Sequence, residues 1–112
     1  MKILIQESGT VDLFTIQELL RNADRQANFH PDSRWILSSK LGIQKNTLPN
    51  KETRSVINLE VKWIGRESVI MWLISNQIKF QVLSYSLLKE EKEALDTAYD
   101  DLAFSEDSSK LN

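Results

Sequence analysis

The residues able to do chemistry are few, and their spacing does not assemble a reaction centre. His30 is the single histidine and there is no cysteine, so a metal site would have to be built from carboxylates around one imidazole. Asp32 alone stands near enough in sequence. Gly9, Gly42 and Gly65 are scattered and form no phosphate-cradling loop. Ser8 and the Ser38-Ser39 pair lack the strand-turn-helix setting that exposes a nucleophilic serine. The acidic pairs Glu90/Glu91 and Asp100/Asp101 are sequence neighbours, and on a helix such neighbours point in different directions. No catalytic residue, cofactor or metal ligand is therefore assigned. An enzyme would have to draw on Tyr85, Arg54, Arg66 and Glu60, which sequence alone does not bring together.

Charge gives a different kind of signal. The 112-residue chain has a formal net charge of −2. Residues 1–88 carry +3, residues 89–112 carry −5, and Arg34 to Arg66 holds seven basic residues against two acidic ones. Arg54, Lys62 and Arg66, with Trp35 and Trp63 nearby, are candidates for contact with phosphates and bases. The acidic end, Glu90 to Asp107, is the kind of surface with which small inhibitors mask basic targets.

The elements that must position these residues follow from periodicity. Residues 2–6 read as a strand. Thr15-Ile16-Gln17-Glu18 has the form of a capping box, with Phe14 and Leu19 placed as a hydrophobic staple, so a helix is expected over about 16–27. Its apolar face is Ile16, Leu19, Leu20, Ala23 and Ala27. Asn28 to Ser33 breaks it at Pro31. A short second helix ending at Gly42 is expected next, with a strand through Trp35-Ile36-Leu37 as the alternative, and 43–54 reads as an exposed loop. Val56 to Trp63 alternates as a strand. With Gly65-Arg66 as a hairpin turn, the unbroken apolar run Val69 to Ile74 is expected as a central strand, and 78–87 as the next. A helix over about 88–103 carries Leu88, Leu95, Tyr99 and Leu102 on one stripe.

The expectation is one α+β domain, 1–103, with an antiparallel β-meander packed by two or three helices in the order β-α-(α)-β-β-β-α. A flexible acidic tail, 104–112, follows. With 41% apolar residues the chain can bury one continuous core. Its longest apolar run is six residues, far below the roughly 20 that span a bilayer. The N-terminus is too short in apolar residues for a signal peptide, and cysteine-free composition fits the cytoplasm.

In that register Met71, Leu73 and Phe80 share a second sheet face with Val69 and Val82. This stripe is covered either by a helix of the chain or by a partner, a second copy included. Two resemblances bear on function. His30-Pro31-Asp32 between helices resembles the loop by which J-domain co-chaperones stimulate their partner ATPases, although Ser33 stands where that family has a basic residue. Helices followed by an antiparallel sheet with a basic segment resemble the RelE/ParE toxins, which implies RNA as a target. The leading expectation is a non-catalytic module that binds another protein as an adaptor, inhibitor or immunity-type protein, with action on nucleic acid through residues 34–66 as the alternative.

Overall fold

The structure is a computed structural model describing residues 1–7, 11–45 and 53–98. Its elements are β1 (Lys2–Gln6), α1 (Leu13–Ala27), β2 (Ile36–Lys45), β3 (Thr53–Val61), α2 (Arg66–Ser75), β4 (Phe80–Ser84) and a helix α3 over 89–98. The chain is thus α+β, with an antiparallel four-stranded sheet packed by helices and ordered β2-β3-β1-β4. The run from β1 to β4 is β-α-β-β-α-β, the split β-α-β arrangement of ferredoxin-like folds. No helix among the described residues is long and apolar enough to cross a membrane.

One sheet face makes the core. Ile3 lies opposite Leu59 and Ile5 opposite Ile57, and all four are fully buried or nearly so. Leu13, Ile16 and Leu20 of α1, with Val69 and Leu73 of α2, close over them. The Met1 ammonium reaches into this layer and donates to the carbonyls of Val61 and Ser86 at 2.8 and 2.9 Å. Burial lowers its pKa from 8.0.

Helix α1 begins three residues before its expected start. The Asp12 carboxylate accepts from the Thr15 backbone N–H at 2.6 Å, a bond that lowers the Asp12 pKa. Capping at Asp12 adds Leu13 to the buried face and leaves Phe14 63% exposed, so no staple forms. The helix also sits rotated from the expected stripe, with Gln17 and Asp24 buried in place of Leu19. The cause is polar. Gln17 Nε2 donates to Ser39 Oγ at 3.1 Å, and the Asp24 carboxylate accepts from Trp35 N, Ile36 N and Asn28 Nδ2.

Two segments depart from their expected type. The segment after Pro31 makes a single 3-10 turn, Pro31–Ser33, and then the strand β2 rather than a helix. Gly42 lies inside that strand opposite Val56, and the strand ends absorb both flanks of the expected loop. Residues 46–52, the rest of that loop, lie outside the described residues, as does the expected tail 104–112.

The second departure is larger. Val69 to Ile74 is helix α2, not a strand. Gly65 makes no hairpin turn; a Cβ there would lie 2.5 Å from Trp35 Cβ, so the glycine serves close approach. Val69, Ile70 and Ile74 disfavour helix by roughly 0.5 kcal/mol each. Burying Val69 and Leu73 contributes about 1.5–3 kcal/mol apiece, and burial wins.

Asn76-Gln77 ends α2 as a Schellman turn rather than joining two strands. Gln77 N donates to Ile74 O and Ile78 N to Leu73 O, both at 3.0 Å, with Gln77 at φ 57°. Gln77→Gly relieves that left-handed backbone and should raise stability by about 1 kcal/mol in urea unfolding. Asp24→Ala removes the acceptor for two backbone donors and should cost roughly 1–3 kcal/mol for each one left unpaired. Asp24→Asn should recover part of that loss. Equal midpoints for all three proteins would contradict this role of Asp24.

Candidate functional site

Helix α2 is apolar around most of its circumference, yet it is covered on one side. Val69 and Leu73 are fully buried, and Ile70 and Trp72 pack half-buried at the core margin. Met71 and Ile74 stand 60% and 57% exposed, and Ile64, in the 3-10 turn Trp63–Gly65 just ahead, is 76% exposed. Positions 64, 67, 71 and 74 recur at helical spacing, so Glu67 interrupts an otherwise apolar ridge roughly 15 Å long. A helix with apolar residues all round is normally enclosed on all sides. This one is not.

An aromatic cluster sits at the N-terminal end of the ridge. The Arg66 guanidinium carbon lies 4.1 Å from the centre of the Trp63 ring, in cation–π contact. Its Nη1 donates to Trp63 O at 2.7 Å and its Nε to the Tyr85 hydroxyl at 3.2 Å. Trp63 and Tyr85 pack with ring centroids 4.9 Å apart and tilted by 59°. Tyr85 follows directly on β4 and is 57% exposed.

The backbone under this cluster is pinned from two sides. Lys62 N donates to Trp35 O at 2.7 Å, which seats the turn on the residue just ahead of β2. The Glu91 carboxylate accepts from Trp63 N at 3.0 and 3.2 Å and from Leu88 N at 3.1 Å. The last bond is half of a capping box for α3, since Glu91 reaches back to the residue that precedes the helix. One carboxylate thus ties α3 to the end of β3.

An exposed Tyr with a half-buried Trp and Arg, all held in place by mutual contacts, has the residue types of a binding hot spot. Three contacts fix Arg66, so little side-chain entropy remains to be lost on association. Among the described residues no group of three or more His, Cys, Asp or Glu side chains could hold a metal ion.

The expected site residues divide among four places. Arg66 belongs to the cluster, with Lys62 one residue before Trp63. Met71 lies on the ridge. Leu73 is fully buried in the core, and Phe80 pairs with Ile5 on the inner face, so neither joins Met71 in a surface stripe. The stripe dissolves because 69–74 is helical and Val69 and Leu73, four residues apart, turn inward together. Arg54 is exposed near the far end of β3, about 20 Å or more along the strand from the cluster. Tyr85 and Arg66 do meet, whereas Glu60 is engaged elsewhere, by Ser38 Oγ at 2.8 Å.

The described basic residues of the segment fall in more than one place: Arg34 lies beside α1, Lys40 and Arg54 share the outer face of β2 and β3, and Arg66 is taken up by Trp63 and Tyr85. Ferredoxin-like domains that read RNA stack bases on sheet aromatics. The outer face of the central strands here carries Lys2, Leu4 and Gln6 against Glu60, Asn58 and Val56. His30-Pro31-Asp32 falls in the 3-10 turn between a helix and a strand, not between two helices. Helix α2 also breaks the run of strands on which the likeness to RelE/ParE toxins rests. Comparison with protein-family models, with curated proteins and with solved structures returns no match for the chain.

Ile64, Ile74 and Tyr85 complete the surface and were not among the residues singled out for binding, whereas Trp63 was considered only for stacking on bases. A helical reading of 66–75 finds Ile74, because it shows more apolar residues than one buried face can use. Glu91→Ala should lower stability by about 1–2 kcal/mol and reduce helicity at 222 nm, as α3 loses its cap and its tie to Trp63. An unchanged melting curve and spectrum would show that α3 is held by other means.

Proposed function

We propose that the protein is a non-catalytic interaction module that binds another protein through the α2 ridge and the adjoining Trp63–Arg66–Tyr85 cluster. The observation that carries this reading is the exposed side of α2: Met71 and Ile74 on the helix and Ile64 in the 3-10 turn just ahead of it are all solvent-exposed, beside a preorganised Trp, Arg and Tyr. Single exposed apolar residues are ordinary, but a set of them next to such a cluster has the anatomy of an interface core with its anchors. Adaptor, inhibitor and immunity-type proteins all work in this way.

The test is affinity capture with the full chain and with Met71→Glu/Ile74→Glu, followed by size-exclusion chromatography of each protein alone. Both substitutions fall on exposed positions, so the double variant should melt within a few degrees of the parent. Its affinity for a captured partner should fall at least tenfold. If the variant retains both the partner and the oligomeric state of the parent, the ridge is not the contact.

A further inference from the structure

Away from α2, on the side where α1 meets β2, a shallow hollow of about 230 Å³ has Arg21, Arg25, Arg34, Asp24, Ser38 and Ser39 in its lining beside two apolar residues of β2. Three guanidinium groups around one concavity repel each other unless something negative balances them. Asp24 lines the same hollow and offsets one of the three charges, but its oxygens bond Asn28, Trp35 and Ile36 rather than an arginine, so a net positive charge remains. Glu18 reaches Arg21 Nη1 only at 3.5 Å, in an exposed pair that contributes little.

The donors left over differ between the three. Arg21 spends Nη2 on Ser39, at 3.0 Å to its Oγ and 3.4 Å to its carbonyl. Arg34 spends only Nε, on Asn28 O at 2.9 Å, which fixes the guanidinium plane and leaves both terminal nitrogens without a partner among the described residues. Arg25 makes no hydrogen bond or ion pair among them. The free fork of Arg34 and the whole of Arg25 present the planar donor pairs that grip a phosphoryl group bidentately. The Ser38 hydroxyl, bonded to Glu60, and that of Ser39 stand at the rim.

β2 is an edge strand, which raises strand addition by a peptide as a rival occupant. The geometry opposes it at this point. Ser39 O, which an added strand would need, already accepts from Gln17 at 3.4 Å and from Arg21. The volume also lies below that of a drug-sized ligand pocket. We infer that this hollow binds the phosphoryl group of a small molecule, either free phosphate or a phosphomonoester, with Arg25 and Arg34 as the principal ligands. The site is separate from the α2 surface and does not rest on it.

Titration of the full chain with inorganic phosphate, with ribose 5-phosphate and with chloride at matched ionic strength tests this, read through the arginine Nε–H signals in NMR. Phosphate should shift the Arg34 signal saturably, and chloride should not. Ribose 5-phosphate binding at least tenfold tighter than phosphate would identify a monoester as the ligand, and equal affinities would identify phosphate itself. Arg25→Gln, at an exposed position, should keep the fold and weaken binding at least tenfold. The proposal fails if phosphate and chloride give the same non-saturating shifts, or if the Arg25→Gln/Arg34→Gln protein, folded by its spectrum, binds phosphate as the parent does.

Discussion

Trp35 is the joint on which the two halves of the fold depend. Its N–H donates to Asp24 at the end of α1, its carbonyl accepts from Lys62 after β3, and its side chain lies against Gly65 at the start of α2. A split β-α-β fold has two crossovers, and both pass this residue. The first is locked because Asp24 holds the entry of β2. The second is locked because the turn carrying Trp63 and Gly65 has nowhere else to sit. A side chain at position 65 would collide with Trp35 Cβ, so α2 leaves β3 at one angle and lays Val69 and Leu73 on the sheet. The cluster formed by Trp63, Arg66 and Tyr85 is a consequence of that angle.

What sequence could reveal follows from which signals are local. The alternation of Ile57, Leu59 and Val61 is a period-2 pattern that few other structures satisfy, and the strand is where it was expected. Helix α1 was legible too, with its start misplaced, because Asp12 and Thr15 are both good caps three residues apart. The choice between them is made by burial of Leu13, which is not a local property. The run Val69 to Ile74 has no period at all. It fits a strand covered on both faces and a helix on a sheet equally well. Its β-branched residues and the Gly65-Arg66 pair tilt a local reading toward a hairpin. The deciding contact, Gly65 against Trp35, joins residues thirty positions apart in sequence.

The site was partly legible for the same reason. Met71 was singled out because it fell on the wrong side of a supposed strand, and it is exposed because it falls on the wrong side of a helix. Arg66 was chosen for its charge, and its role in the structure is to hold Trp63 and Tyr85 together. Leu73 and Phe80 went the other way, since each was assigned to a second sheet face by a register that does not exist. Of the three arginines of the α1–β2 hollow, Arg21 and Arg25 stand one turn apart on α1, and Arg34 comes from the chain leading into β2. Their meeting depends on the rotation of α1 set by Gln17 and Asp24, which the apolar pattern of the helix does not reveal.

That rotation and the exposed ridge of α2 can be weighed against folding needs alone. Gln17 and Asp24 are buried polar groups, and each bonds to β2 or to the chain leading into it, so packing explains them. Ile64, Met71 and Ile74 are not explained that way. Each lies where Glu, Lys or Gln would give the same or better helix propensity and a more soluble surface. Their apolar area stays in water, so it contributes little to holding the domain together. The core is already closed by Val69 and Leu73 on the opposite side of the same helix. The apolar ridge, beside aromatic and cationic groups fixed in place, is thus a feature that the packing of the domain does not account for, and it is what the proposed binding role rests on.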